Sequence, residues 1–512
     1  MFKARTRFFN IFHLSSLSLL ILFSLFFIAS SPLIKGNVWV DTNAMLEIGR
    51  AWFHGNIPYL DTFEQRGPVF FFFYLIANII HTQGYFGLFV IEVLNLLAIF
   101  EITKKILNTT FNNLNHSNFF SLLIPIFLVL DRSFETGGSP EEFAITWSLL
   151  GVLIVINLIM TKKFNIWKSS ILFGFAFSII FWIKFTLVGP LVGASVFLFF
   201  YLIYKKEFSK LIQFIIGSLS TLFLFSGLIG VFFKLHGALH SLIDVYFKIN
   251  IFAYGDSSSS FDRWIQFFEN IAAVITTNSW IFALWFISLV ILFKYARPIS
   301  FLWFFISLTT ISITYFFGQT NTYSFLLPYS MLLLTFITAG AKVLNLKNSK
   351  FWLIGAFALF PIINNPILFN IPYLWKNDVL SSQKFGEYIN NHKHSESTSL
   401  LYYNTIDFGV ERFANISVAS RFKYFERTNI PEDRYPIPKE SLNNAVAERM
   451  PDYIVINLQF GLPAVDPNDH AAVNARISQD ILKNYSVVDV HSSFYPVFVD
   501  KNEIQYALLK KK

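Results

Sequence analysis

Apolar stretches of about twenty residues recur along this chain, separated by short polar breaks, and few architectures can absorb so many. The candidates are 11–34, 84–103, 118–130, 142–160, 167–183, 186–204, 211–233, 272–293, 299–317, 323–341 and 352–372. A run of that length is enough helix to cross the hydrocarbon layer, and only helices satisfy their own backbone there. Composition agrees: 14% of residues are charged, against about 25% in a soluble domain. The 64 Phe residues point the same way, since an aromatic hydrocarbon is cheap to expose to lipid. The expected fold is therefore mainly α: a polytopic membrane protein with about 11 transmembrane helices. The run 68–80 is too short to span comfortably and is assigned to the first outer loop.

Charge gives this arrangement a direction. Loops of one set hold sixteen Lys and Arg, among them Lys3, Arg5, Arg7, Lys104, Lys105, Lys162, Lys163, Lys205 and Lys206. The other set holds eight, including Arg50, Arg66, Arg132, Lys184 and Lys248, spread over longer loops. Basic loops stay cytoplasmic, so the N-terminus is expected inside and, with an odd span count, the C-terminal tail outside. The apolar run after Arg7 is long for a cleaved signal, which favours a retained first span. The net charge of +8 does not imply nucleic acid, because the cations are scattered between apolar runs. With Cys at 0 there are no disulfides, thiol chemistry or Cys-ligated metals.

From about residue 375 the character changes. The runs 399–404, 452–458, 487–500 and 504–510 read as strands, and 384–392, 411–417 and 470–484 as helices. The expected organisation is a multi-span domain over 1–374 and a soluble extracytoplasmic α/β domain over 375–512.

Acidic residues gather in the expected outer loops, although insertion does not require it. The first such loop, 37–74, is dense in charge and aromatics and reads as two short amphipathic helices at a membrane surface. Asp41 there can be a general base, a sugar or metal ligand, or a helix N-cap, together with Thr42. Arg66 can clamp a phosphate, or it can simply pair with Glu64. In the second outer loop, DRSFETGGSPEEF, Ser139-Pro140-Glu141-Glu142 reads as a helix start, which accounts for two of the acids. Asp131 and Glu135 crowd the same loop, and a bound cation or a cationic partner would relieve their repulsion. Lys184 lies between apolar runs, well placed either to snorkel or to meet a lipid phosphate. Glu92 is the other intramembrane ion. His236, His240 and Asp244 have the spacing of metal ligands on a helix but lack a further ligand. Gln319, Asn321 and Tyr323 form a turn suited to sugar hydroxyls. No phosphate loop, dinucleotide glycine fingerprint or Asp-x-Asp pair is present, which argues against ATP-driven transport within this chain and a soluble nucleotide-sugar transferase.

Taken together, an acid soon after span one, a YLDTFEQRGPVFFF segment, GGSPEEF in the second outer loop, a following Lys, the NTYSF turn and a soluble tail resemble a known family. It is that of the polyprenyl-phosphate-dependent membrane glycosyltransferases of the GT-C fold, nearest to the bacterial protein mannosyltransferase and aminoarabinose transferase group. The resemblance covers the whole chain in architecture and about 60 residues in motif. Two departures stand out: EQRGP where many relatives carry Lys before Pro, and an NTYSF turn without a His-Tyr pair.

The resemblance implies a sugar carried on a polyprenyl phosphate at the outer face of the bacterial cytoplasmic membrane, and a glycan, lipid or protein acceptor. It implies Asp41 as the catalytic base or acceptor-orienting group, Asp131, Glu141 and Glu142 positioning acceptor or metal, and Arg66 and Lys184 on the donor phosphate. Glu64, Gln319, Asn321 and Tyr323 would contact sugar. It names no definite cofactor and allows for a divalent cation, Mg or Mn. The alternatives are a lipid-linked sugar flippase, an O-antigen-type polymerase or ligase, and a non-catalytic envelope scaffold.

Overall fold

A computed structural model describes residues 2–34, 37, 39–112, 114, 116–161, 165–253, 260–317, 321–344, 380–393, 398–403, 409–418, 437–459, 462–496 and 501–512. The expected span 352–372, the boundary at 374/375 and Gln319 lie outside the described residues. The chain groups into two units, each discontinuous in sequence. One comprises Met1–Ile28, Val90–Phe232 and Ser257–Phe369; the other comprises Ala29–Phe89, Phe233–Asp256 and Asn370–Lys512.

The helices in chain order are α1 (Phe2–Phe27), α2 (Val40–Phe53), α3 (Pro68–Ile80), α4 (Phe86–Phe111), α5 (Ser117–Leu130), α6 (Pro140–Met160), α7 (Ile166–Ile183), α8 (Gly189–Tyr204) and α9 (Phe208–Leu235). They continue with α10 (Leu239–Leu242), running into a π-helical stretch at Ile243–Ala253, then α11 (Ser260–Thr277), α12 (Ser279–Tyr295), α13 (Arg297–Phe317) and α14 (Leu326–Leu344). Among the described residues six helices are long and apolar enough to cross a membrane, or seven if one bent pair counts as a span. The chain is thus a polytopic, mainly helical membrane protein.

Several expected spans come out shorter or broken, for local reasons. The run 118–130 is α5, only 14 residues, with Pro125 inside it. The pair around Lys184 is interrupted where Lys184 turns extended and Pro190 opens α8. The run 272–293 is two helices, bent by 88° at Asn278. There the Thr276 and Thr277 hydroxyls donate to Ala273 O, and Asn278 Nδ2 donates to Val274 O. Three consecutive polar side chains thereby bond back onto carbonyls of the preceding turn, which bends a helix.

At the centre of the first unit is α14, whose apolar window is 100% buried. It packs on α5, α6, α12 and α13, while α8 packs on α13 and α6 on α7. An apolar medium offers no hydrogen bonds, so the polar side chains of α14 turn inward along the helix. Ser330, Thr335 and Thr338 donate to the carbonyls of Leu327, Met331 and Leu334 at 2.6–2.8 Å. At the other extreme, the apolar window of α9 is only 11% buried.

In the second unit α2 packs on α3. Gly49 permits the approach: a Cβ there would lie 2.5 Å from the carbonyl of Tyr74. The C-terminal residues carry α15 (Ser381–His392), α16 (Val410–Ala414), α17 (Ile437–Ala447), α18 (His470–Ala475) and α19 (Gln479–Asn484) around a sheet. Its strands are β1 (Ser399–Tyr403), β2 (Ser417–Val418), β3 (Tyr453–Asn457), β4 (Tyr485–Pro496) and β5 (Lys501–Lys511), in the order β2-β1-β3-β5-β4. β1 runs parallel to β2 and β3, whereas β5 runs antiparallel to β3 and β4. The central runs LLY and YIVI are buried on both faces, as unbroken apolar strands should be. The expected helix 470–484 is two short ones, because Ser478 caps a new helix at Gln479.

Candidate active site

The first outer loop delivers three of the expected residues to one place. Asp41 lies in the first turn of α2, two residues past the cap position; Trp39 is the N-cap and makes no side-chain cap bond. The Asp41 carboxylate instead meets Arg66 at 2.6 Å, and Glu64 meets the same guanidinium at 3.1 Å. Gly67 and Pro68 start α3 directly after Arg66, and Tyr59 OH donates to Arg66 O at 2.7 Å, which pins the turn. Of the two readings of Arg66, the pair with Glu64 is present, and the same guanidinium also holds Asp41. Asp41 keeps 30% of its side chain exposed. Burial pushes the Glu64 carboxyl above its usual range, opposed by Arg66 and reinforced by Asp41. Tyr59 is raised far higher, by burial and then by Tyr246 and Glu64.

In the other unit the second-loop acids find separate partners. Glu141, fully buried, accepts from Lys184 Nζ at 2.8 Å, while Lys184 stays 28% exposed. The Lys184 ammonium also lies 5.7 Å from the Tyr323 ring centroid. Asn321 Nδ2 donates to the Tyr323 hydroxyl at 3.0 Å. Glu142 turns back instead: its Oε2 accepts from Gly138 N at 2.8 Å and its Oε1 from Asn95 at 3.4 Å. Ser139 accepts from Glu142 N at 3.0 Å, so the helix start expected at SPEE is present, closed by a glutamate reaching back past the cap. Asp131 accepts from Ser133 N at 2.9 Å, and burial raises its carboxyl pKa against those hydrogen bonds. Gly137 has φ +96°, and a Cβ there would lie 2.2 Å from Glu92 Oε1, so the buried Glu92 packs directly under this loop.

This geometry does not fit a metal. Asp131, Glu141 and Glu142 point to Ser133, Lys184 and Gly138 rather than to a common centre. No group of three His, Asp or Glu suited to a metal occurs among the described residues. Glu141 has the cationic partner that was the alternative to a bound cation, and Asp131 and Glu142 are held by hydrogen bonds. Nor does the 236–244 spacing form a site: Asp244 is held by His240 at 2.9 Å and by the ammonium of Lys248 at 2.6 Å.

A further cluster escaped the sequence reading. Glu47 of α2 and Arg412 of α16, with side chains 1% and 2% exposed, form an ion pair with Arg412 Nε donating to Glu47 Oε1 at 2.7 Å. The Arg412 guanidinium also covers the Tyr85 ring at 5.1 Å, and Tyr85 OH donates to Asn43 Oδ1 at 2.9 Å. Arg50 donates to Glu411 O and to Asn415 Oδ1, both at 2.8 Å. Burial would lower the Arg412 pKa, but Glu47, Tyr85 and Glu411 outweigh it and the net shift is upward. Partners separated by 365 residues leave no local pattern to find.

No family model matches the chain. A search of curated proteins finds no match either. Among solved structures, ArnT from Cupriavidus metallidurans bound to undecaprenyl phosphate aligns with a TM-score of 0.57 at 10% identity, covering 98% of both chains. The same protein in the apo state gives the same values. The arabinofuranosyltransferase AftD from Mycobacteria aligns at 0.52 and 11% identity, covering 98% of this chain and 40% of its own. The architecture expected from the GT-C resemblance is therefore the fold this chain has.

Proposed function

We propose that the chain is a membrane glycosyltransferase that moves one sugar from a polyprenyl-phosphate donor to a glycan, lipid or protein acceptor. The reaction is placed at the outer face of the bacterial cytoplasmic membrane, with the N-terminus inside and the C-terminal domain outside. The observation that carries this reading is the end-to-end likeness to ArnT, over 98% of both chains, in a structure that holds undecaprenyl phosphate.

In the proposed reaction an acceptor hydroxyl oxygen attacks the anomeric carbon from the face opposite the phosphate. The new C–O bond forms as the bond to phosphate oxygen breaks, and its electron pair leaves with the polyprenyl phosphate. Configuration inverts. Asp41 receives the hydroxyl proton; Arg66 at 2.6 Å fixes its direction while it stays partly exposed. Lys184 supplies charge to the departing phosphate: an ammonium has three donors, and Glu141 occupies one at 2.8 Å. Glu64, Asn321 and Tyr323 are assigned to sugar hydroxyls. Asp131 and Glu142 are assigned to holding the second loop, and no step is routed through a metal.

Mass spectrometry of envelope lipids and glycans tests this in cells lacking the protein, restored with the wild type, or restored with Asp41→Asn. The expected result is a mass of one sugar that returns with the wild type and not with Asp41→Asn at equal abundance. A glycan profile unchanged by deletion under expressing conditions refutes the transferase reading.

A further inference from the structure

We infer that the C-terminal domain sets the reacting carboxylate: Arg412 is a positioning residue that fixes α2, the helix carrying Asp41, through Glu47 and Tyr85. The inference rests on the proposed role of Asp41 in transfer.

Three observations carry it. The Glu47–Arg412 pair is nearly sealed from water, with 1% and 2% of the side chains exposed, and a buried ion pair tolerates little misalignment. Arg412 reaches α2 at two points. One is Glu47 directly, at 2.7 Å; the other is Asn43, by way of the Tyr85 ring at 5.1 Å and its hydroxyl at 2.9 Å. Asn43 lies one turn before Glu47 on the same face of α2, so the two routes grip one side of the helix over successive turns. Finally, the helix presents the two functions on different sides. At about 100° per residue, Glu47 lies roughly 120° around the axis from Asp41. One side is gripped by α16 while another offers the carboxylate to Arg66.

The pair also does what its neighbours do not. Arg50, itself on α2, joins α16 through the Glu411 carbonyl and Asn415, but only near the C-terminal end of α2, and its guanidinium lies 3.6 Å from the Glu47 carboxylate. The hydroxyl of Tyr402 accepts from Gly409 N and Val410 N and contacts Glu411, so α16 is itself anchored to β1. A fixed sheet therefore stands behind Arg412, and any shift of that sheet reaches Asn43 and Glu47 together.

The test uses the full-length protein, which has Cys at 0, so one introduced thiol reports without interference. Asp41→Cys is labelled with a thiol reagent in backgrounds of Arg412, Arg412→Lys and Arg412→Gln. In parallel, kcat, KM for the polyprenyl-phosphate donor and thermal unfolding are measured with Asp41 intact, adding the double variant Glu47→Gln/Arg412→Gln. The expected result is a several-fold change in the labelling rate with Arg412→Gln. kcat should fall roughly 100-fold, as a misplacement of about 1 Å can produce, with KM unchanged. Arg412→Lys keeps the charge and loses the flat guanidinium face, and should fall between. The double variant removes both charges of the Glu47–Arg412 pair, leaving Arg50 with the Glu411 carbonyl and Asn415 as partners, and should recover part of the melting temperature without recovering kcat. If Arg412→Gln lowers only the amount of folded protein, with kcat per folded molecule and the labelling rate unchanged, the positioning role is refuted. If the wild type transfers nothing yet the labelling rate still shifts with Arg412→Gln, the transferase reading fails and the hold on α2 stands.

Discussion

Removing Lys184 should expose how much the buried Glu141 depends on it. At 2.8 Å, two unit charges attract by about 6 kcal/mol at an effective dielectric of about 20. That gross figure is not the cost, since burying a carboxylate opposes it. Breaking a buried pair from one side costs about 3–5 kcal/mol. Lys184 is 28% exposed, and water reaching the site takes Lys184→Met to the lower end, about 3 kcal/mol. Glu141 Oε2 has no hydrogen bond among the described residues, so nothing else in the described structure takes up the charge. Glu141→Gln/Lys184→Met removes both charges and should return most of the loss, a coupling of about 2–3 kcal/mol. Thermal and denaturant unfolding of wild type, the two single variants and the double variant in one detergent completes the cycle. Transfer measured on the same samples should stay low in the double variant, because its phosphate loses the ammonium. A double variant as unstable as Lys184→Met refutes the pairing argument, and one that transfers at wild-type rate removes Lys184 from the reaction.

Gly49→Ala places a Cβ 2.5 Å from the Tyr74 carbonyl and should cost about 1–3 kcal/mol by overpacking; a melting temperature equal to wild type would contradict this. Ser139→Ala removes the acceptor of Glu142 N at 3.0 Å and should cost about 1 kcal/mol, read by the same unfolding assay. Glu64 has a folded-state pKa raised above its unfolded value, chiefly by burial. The folded protein therefore holds this proton to higher pH than the unfolded chain, and its contribution to stability falls as pH rises from the ordinary glutamate value through the raised one. Glu64→Gln should remove that fall, and an unchanged pH profile of unfolding would show that Glu64 does not titrate in this window.

The parts legible in the sequence were those whose cause is local. Apolar runs such as 142–160 and 299–317 correspond to α6 and α13 because length and hydropathy alone decide them. The SPEE helix start needed only its own four residues. The bend at Asn278 left no mark in hydropathy, because Thr-Thr-Asn bonds back onto the preceding turn through side chains that hydropathy ignores. At the candidate site, the residue types were legible and their partners were not. Glu64 and Arg66 are neighbours in sequence, but Asp41 joins them across 25 positions. The crowding of Asp131, Glu141 and Glu142 pointed to a metal only while their partners Ser133, Lys184 and Asn95 were unknown. Arg412 carried no signal at all, being one cation in a polar tail.

The nearly unburied helix α9 has a consequence for the bilayer around it. Its 28 residues make a rod of about 42 Å, against a hydrocarbon layer of about 30 Å. Its apolar window is only 11% buried, and α7 holds it along one side, where Ser218 Oγ donates to Ser170 O at 3.1 Å and Trp182 Nε1 to Ser226 Oγ at 2.9 Å. Lys210 and Lys234 lie close to its two ends, and each can extend its stem toward a headgroup layer. The rod then fits by leaning about 45° or by lifting its ends out of the oil, and thinner lipid demands more of either. Lipid chain length is thus a variable to which α9 responds before any of the well-packed helices do.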